Sequence, residues 1–129
     1  MNKRSINPWT WQQQRSYMQA VEVKNVEGTL YCSGQAAIAA DGTSSNEDME
    51  SQLRQAIANL ETVIQTAGYL CSGIVRLNLY TTSVQELWPH FPILQEWIRN
   101  HQIEQALTAL EVVGLFETLK VELEATVVK

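Results

Sequence analysis

Cysteine is scarce in this sequence, which excludes a disulfide scaffold and a zinc-binding cluster. Cys32 and Cys71 are the only two cysteines among 129 residues, and they form neither a C-x-x-C pair nor a Cys/His cluster with the spacing of zinc ligands. A free cysteine commonly behaves as a small apolar side chain in the protein interior. We therefore expect two buried thiols, in preference to a disulfide or a reactive cysteine, and no metal site.

Long apolar runs are also missing. A membrane-spanning helix needs about eighteen consecutive apolar residues, and no such stretch occurs. Lys3 and Arg4 are followed by Asn7, Pro8 and three glutamines, where a secretory signal would need an apolar segment. We expect a cytoplasmic, soluble protein that has no membrane partner.

Basic residues are outnumbered by acidic ones. Nine Lys and Arg stand against fourteen Asp and Glu, so the formal net charge is -5. A protein that neutralises many phosphates carries charge of the opposite sign, so nucleic acid is not expected as the main partner. The sequence signatures HExxH, GxSxG, Walker A and GxGxxG are absent as well, which excludes the enzyme classes that these motifs mark.

The composition that remains is that of a globular protein. Hydrophobic residues make up 45% of the chain and charged residues 18%. A chain of this length buries about two-thirds of its unfolded surface. We expect a single domain that spans residues 1–129.

Two strands are predicted in the N-terminal third. Apolar and polar residues alternate from Tyr17 to Lys24, and a second strand runs from Thr29 to Gln35. Turn residues at 25–28 connect them, so the pattern predicts a hairpin. Gly34 inside the second strand marks a bulge or a close approach of another group to the backbone.

A long amphipathic helix is predicted from about Asp48 to Ala67. Its apolar residues recur at helical spacing on one face, and polar residues occupy the other. Ser45, Asn46 or Asp48 can cap its start. Gly68 stands where a left-handed cap ends a helix.

The rest of the chain predicts three further strands and a second helix. The strands are Ile74 to Tyr80, Leu107 to Val113 and Leu119 to Val127, and the helix runs from about Pro92 to Asn100. The order β-β-α-β-α-β-β favours an α+β fold in which a single sheet carries both helices on one face. We hypothesise that an oligomer covers the other face of the sheet.

Two glutamates on the last strand are candidate catalytic residues. Glu122 and Glu124 are two residues apart and share one face of the strand. A carboxylate there can activate a water as a general base if the face lines a cleft, but strand carboxylates more often only face solvent. Trp9 and Trp11 either stack on a ligand or fill an interface.

Several segments together resemble the Rid family. These YjgF-type proteins are named for reactive intermediate deaminases, and the resemblance covers nearly the whole chain from Tyr17 onward. The matching segments lie in the second strand, its following turn, the long helix, the central strand and the closing strand: Leu30 to Ile38, Asp41-Gly42, Met49 to Gln52, Ala56 to Leu60, Val75 to Thr82 and Lys120 to Ala125.

The resemblance implies a chorismate-mutase-like fold and a homotrimer. In such a trimer the sheets surround a central barrel, and three clefts form between subunits. Active members of the family hydrolyse 2-imino or 2-enamino acids to 2-keto acids and ammonia, without a cofactor or a metal. An arginine holds the substrate carboxylate, a glutamate on the last strand helps to activate water, and a tyrosine and the Ser-Gly-Gln strand complete the pocket.

Carried over residue by residue, the resemblance assigns Glu122 and Tyr17 as catalytic and Gly34 as ligand-binding. Active members have a Pro-Ala-Arg-Ser/Thr run, where this chain has Gln105-Ala106-Leu107-Thr108. Leu107 therefore stands in the place of the arginine, and Leu107, Thr108 and Ala109 are candidate ligand-binding residues.

A leucine cannot neutralise a carboxylate. Arg76, Arg15 and Arg99 are possible substitutes, and the sequence gives no reason to choose among them.

Three functions remain open. The first is hydrolysis of imine or enamine intermediates, on an unusual and less anionic substrate. The second is a non-catalytic trimer that binds a small apolar or amphipathic metabolite in the same clefts. The third, a ribonuclease or translation inhibitor, is a description that some family members have carried, and it fits badly with the acidic charge.

Overall fold

Six strands and three α-helices make up the computed structural model, which describes all residues from 1 to 129. Short 3-10 turns at Trp11–Arg15, Cys71–Gly73 and Trp88–His90 join some of these elements. The elements follow in this order: β1 (Asn2–Ile6), β2 (Ala20–Lys24), β3 (Thr29–Ala36), α1 (Met49–Thr66), β4 (Ile74–Thr81), α2 (Val84–Leu87), α3 (Phe91–Asn100), β5 (Ala106–Glu111) and β6 (Val121–Val128).

The main sheet has four strands in the order β3-β6-β4-β5. β6 lies antiparallel to both β3 and β4, whereas β4 and β5 are parallel. Parallel neighbours need a crossover connection, and α2 and α3 supply it here. The α+β class predicted from the sequence is confirmed.

The predicted hairpin between the first two strands is wrong, and so is the single sheet. β2 pairs with β1, forming a separate two-stranded sheet, and β3 pairs with β6. The turn between β2 and β3 explains the difference, because the backbone amides of Glu27 and Gly28 both donate to the carbonyl of Lys129. β3 therefore starts beside the end of β6. β1 was not predicted, since its residues are mostly polar.

α1 begins and ends where the sequence predicts. The Asp48 side chain accepts a hydrogen bond from the Ser51 amide at 2.9 Å, which caps the start. Gly68 adopts a left-handed φ of 79° just beyond the helix, as a C-terminal cap requires. One face of α1 is buried against the sheet, and it comprises Met49, Gln52, Leu53, Ala56, Ile57, Leu60 and Ile64.

The main sheet has one buried face and one partly exposed face. Successive side chains of a strand point to opposite faces, and burial along β4 and β6 alternates accordingly. The buried face joins α1 and α3 in one core through Leu77, Leu79, Val121, Leu123 and Ala125. The other face carries mainly polar side chains, among them Arg76, Asn78, Tyr80, Glu122 and Glu124.

Both cysteines are free and buried, as predicted. Burial raises the pKa of the Cys71 thiol to about 11, because the charged thiolate is poorly solvated there. No helix of this protein combines the length and the apolar character that a membrane crossing needs.

Candidate functional site

The two candidate glutamates differ in their partners, although they share one sheet face. The Glu124 carboxylate accepts hydrogen bonds from the Asn78 amide at 2.9 Å and from the Tyr80 hydroxyl at 3.0 Å. The hydrogen bond to Glu124 raises the pKa of Tyr80, since it favours the protonated hydroxyl. Glu124 is thus occupied in holding β6 against β4.

Glu122 makes no hydrogen bond or ion pair with any other side chain of the protein. It is half-buried and lies opposite Tyr80 in β4 and Ala36 in β3. Its carboxyl group lies against Gly34: a Cβ added to this glycine would be 2.5 Å from Cδ and 2.6 Å from Oε2 of Glu122. The sequence predicts a bulge or a close approach at Gly34, and both are present. The Glu122 carboxyl group approaches the glycine, and the pairing of β3 with β6 shifts register between Cys32 and Gln35.

A cavity of about 610 Å³ lies on the opposite side of the main sheet, between the start of the chain, α3 and β5. Such a volume is in the usual range for small-molecule sites. The apolar part of its wall comprises Trp88, Phe91, Pro92, Leu107 and Ala109. The polar part comprises Gln14, Arg15, Tyr17 and Gln95.

Thr108 faces away from this cavity. Strand alternation turns its side chain to the partly exposed face, where its hydroxyl accepts a hydrogen bond from Arg76 Nη2 at 2.8 Å. Leu107, one residue earlier, packs at the edge of the core opposite Leu77.

Within one chain, the predicted site residues form two groups. Tyr17, Leu107 and Ala109 line the cavity. Glu122 lies on the other face of the sheet and contacts Gly34. The structure of one chain therefore does not bring the two predicted catalytic residues, Glu122 and Tyr17, into one site.

The N-terminal segment contributes Gln14, which the sequence did not single out, and Arg15, one of the three possible substitutes for the family arginine, to the cavity wall. Gln14 and Arg15 end a 3-10 turn, and Ser16 then adopts a left-handed φ of 61° that redirects the chain towards Tyr17. The Gln14 carbonyl accepts a hydrogen bond from the Gln95 side chain at 3.2 Å, which ties the turn to α3. The sequence contains no signal for Gln14 itself, whereas it names Arg15, Tyr17 and the two neighbouring tryptophans as candidates.

Those tryptophans form an aromatic cluster beside the cavity. The rings of Trp9 and Trp11 stack with centroids 6.0 Å apart, and the Tyr17 ring meets Trp11 edge-on at 6.3 Å. The Arg15 guanidinium lies 4.8 Å from the centre of a Trp11 ring, a distance typical of cation-π contacts. The cluster therefore positions both Arg15 and Tyr17.

Comparisons with known proteins agree with this architecture. One similar structure is that of YyfB from Yersinia pestis, a protein of unknown function in the conserved Rid protein family. It is 30% identical to this chain, its TM-score is 0.86, and the match covers 100% of each chain. A RutC family protein of Aquifex aeolicus is 27% identical over 113 residues, which are 88% of each sequence. TdcF of E. coli, solved with bound serine, is 19% identical over 97% of this chain and 91% of its own, and its TM-score of 0.72 shows the same fold.

The family match covers most of the chain. Residues 11–129 match the family described as Endoribonuclease L-PSP. They include the aromatic cluster from Trp11 onward, the cavity wall and the whole main sheet. The chain belongs to the endoribonuclease L-PSP family, the family of the YjgF and Rid proteins.

Proposed function

We propose that this protein hydrolyses small imine or enamine intermediates to keto compounds and ammonia, in clefts between the subunits of a homotrimer built around a central barrel. The observation that carries the proposal is the Glu122 carboxylate. It has no protein partner, lies on the sheet face that no helix covers, and rests against a glycine that leaves room beside it. A carboxylate in this situation is available to act on a water.

Assembly is part of the proposal because one chain separates the two halves of the site. Glu122 and the cavity with Tyr17 and Leu107 lie on opposite faces of the main sheet. A cleft that uses both must therefore combine Glu122 of one copy with the cavity of another. Association of three copies would also cover the partly exposed sheet face.

The chemistry needs only water and a proton acceptor. Glu122 takes a proton from water as the oxygen adds to the imine carbon, and it passes this proton to the imine nitrogen, so that a neutral carbinolamine forms. Glu122 then takes the hydroxyl proton of the carbinolamine and passes it to the nitrogen as the carbon–nitrogen bond breaks, so that the products are a carbonyl compound and ammonia and Glu122 is again a carboxylate. Tyr17 lines the cavity, and in this proposal its hydroxyl donates a hydrogen bond to the substrate.

The ligand class is a small metabolite with a nitrogen-bearing carbon. TdcF, which shares this fold, is a protein whose structure holds a bound amino acid, serine. The cavity volume of about 610 Å³ leaves room for a larger side chain than that of serine. No cofactor enters this proposal.

A non-catalytic trimer that binds a metabolite is the second candidate. Leu107 on the cavity wall favours it, since this residue stands where the resemblance places the arginine that holds the substrate carboxylate. Cleavage of RNA, which the family description suggests, is the least supported function because the chain carries a net charge of -5.

Ammonia release from freshly generated 2-iminopropanoate tests the proposal. We expect the native protein to accelerate hydrolysis and Glu122→Gln to reduce turnover by about a hundredfold, as the loss of a general base typically does. Glu124→Gln is the matched control, because it changes a neighbouring carboxylate on the same face that is already held by Asn78 and Tyr80. It should retain turnover.

Other outcomes assign the remaining functions. If only Leu107→Arg hydrolyses the imine, the scaffold is intact and the natural protein is a binder. If RNA cleavage survives purification and disappears in Glu122→Gln, the protein is a ribonuclease and the present proposal is wrong.

A further inference from the structure

The cavity beside Leu107 has one charged side chain on its wall. This is Arg15, and the other residues that line the cavity are neutral. The apolar part of the wall includes two aromatic rings, those of Trp88 and Phe91, which stack with centroids 5.2 Å apart. The cavity thus offers one cation next to a large apolar surface.

Arg15 has no carboxylate partner within the protein. The ion pairs of the chain involve other basic residues, and the Arg15 guanidinium lies 4.8 Å from the centre of a Trp11 ring. A guanidinium that lies over an aromatic ring keeps N–H groups that point outward in its own plane, and these can bind a carboxylate in bidentate fashion.

The position of Arg15 is fixed relative to Leu107. The Gln105 side chain is fully buried and donates to the Ser16 carbonyl at 3.1 Å, and the Gln105 carbonyl accepts from the Met18 amide at 2.9 Å. These two bonds flank Tyr17 and join the segment that carries Arg15 to the start of β5. The backbone of Arg15 is therefore held beside β5. Leu107 lies in this strand, two residues after Gln105.

The other two candidate arginines lie elsewhere. Arg76 donates to the Thr108 hydroxyl on the opposite face of the sheet. Arg99 lines a different cavity, of about 330 Å³, together with Gln102 and Glu104. Neither Arg76 nor Arg99 lines the cavity that Leu107 and Arg15 line.

We propose that Arg15 binds the carboxylate of the ligand, whose large apolar side chain, aromatic in the best case, packs against Leu107, Trp88 and Phe91. The inference deepens the proposed function: the substrates would be 2-imino acids with bulky apolar side chains. Leu107 then serves as part of the apolar wall, and the carboxylate is neutralised from the N-terminal segment. The expectation of a less anionic substrate, drawn from Leu107 alone, is replaced by this one.

Binding of 3-phenylpropanoate and 3-phenylpropanamide, measured by calorimetry at constant ionic strength, tests the role of Arg15. The two probes have the same apolar body and differ in charge. We expect the native protein to bind the carboxylate at least about tenfold more tightly, because charge-assisted hydrogen bonds are about twice as strong as those between neutral groups. Arg15→Gln should abolish this preference and leave binding of the amide unchanged.

Arg99→Gln is the matched control, since it removes an arginine outside the cavity, and it should keep the preference. Arg15→Lys should keep part of it, because a lysine supplies the charge without the bidentate geometry. Equal binding of both probes by the native protein, or an undiminished preference in Arg15→Gln, would overturn the assignment.

The two proposals fail separately. Glu122→Gln should retain the preference for the carboxylate probe, whatever happens to turnover. If hydrolysis of 2-imino-3-phenylpropanoate depends on Glu122 but its KM is the same in Arg15→Gln, the proposed function stands and the role of Arg15 is wrong.

Discussion

Glu122 and Glu124 illustrate how neighbours of the same residue type acquire different roles. Both point to the partly exposed sheet face, and strand alternation alone does not distinguish them, although the family resemblance assigns Glu122. The structure distinguishes them through their partners, since Asn78 and Tyr80 donate to Glu124 while Glu122 lies free against a glycine. At the residue scale, the proposed function depends on which of the two carboxylates accepts no hydrogen bond from a neighbouring side chain and can therefore act on a water.

Gly34→Ala tests this contact directly. The added methyl group would overlap the carboxyl end of Glu122, which is the flexible end of a side chain, so the carboxylate should move rather than the strand. We expect a change in the free energy of unfolding of less than about 1 kcal/mol and a fall in imine hydrolysis of about tenfold or more. Denaturant unfolding and ammonia release measure the two effects.

Gly114→Ala is the comparison variant, because an added Cβ there meets no neighbouring atom. It should alter neither quantity. A Gly34→Ala protein with full turnover would show that the position of the Glu122 carboxylate does not matter for hydrolysis.

At this scale, the sequence predicts the close approach at Gly34 but not the choice of Arg15. A glycine within a strand has a local physical meaning, since it marks a place where a side chain would not fit. The position of Arg15 depends on the bonds from Gln105 to Ser16 and Met18, which join residues about 90 positions apart. No local pattern contains that information.

At the scale of elements, α1 is the part of the structure that the sequence predicts best. Its apolar periodicity, its cap at Asp48 and its terminal Gly68 all act within the helix itself. The hairpin was wrong because strand pairing depends on partners distant in sequence, here β3 with β6. Sequence periodicity identifies a strand but not its neighbour.

The buried Gln52 links α1 to the rest of the fold. Its side-chain amide donates to the carbonyls of Glu47 at 3.1 Å and Thr118 at 3.2 Å, and its oxygen accepts from the Lys120 amide at 2.8 Å. Lys120 precedes Glu122 by two residues. The helix therefore positions the start of β6 through one side chain.

Gln52→Leu should destabilise the protein by about 3 kcal/mol, because three partly buried backbone groups lose the Gln52 side chain as partner at about 1 kcal/mol or more each. Gln55→Leu, on the exposed side of the same helix, should change the free energy of unfolding by less than about 1 kcal/mol. Urea unfolding of both variants measures the difference. Similar values for the two would mean that the buried bonds of Gln52 contribute little.

At the scale of the whole molecule, the partly exposed sheet face is the feature that one chain leaves unexplained. Tyr31 and Leu110 lie on this face and are 80% and 51% exposed. Apolar side chains on an otherwise ordered sheet are typical of a surface that another copy covers. They support the proposed trimer independently of the catalytic argument.

Light scattering after size-exclusion chromatography should give a mass three times the 14.6 kDa of one chain. Replacing Tyr31 and Leu110 together with lysine should lower this mass, because like charges would meet in the interface. Leu70→Lys, which changes a side chain that is 72% exposed beyond the end of α1, should leave it unchanged. A native mass of 14.6 kDa would contradict the assembly and, with it, the site between subunits.

The place of β6 in the main sheet affects how the nascent chain can fold. This strand is the last of the six in chain order, yet it lies between β3 and β4 and is the only strand that pairs with both. While the ribosome still holds residues 121–128, β3 and β4 have no common neighbour and their backbone groups remain open to other chains. The main sheet therefore closes only after β6 has left the exit tunnel, and until then the unpaired edges of β3 and β4 are open to aggregation.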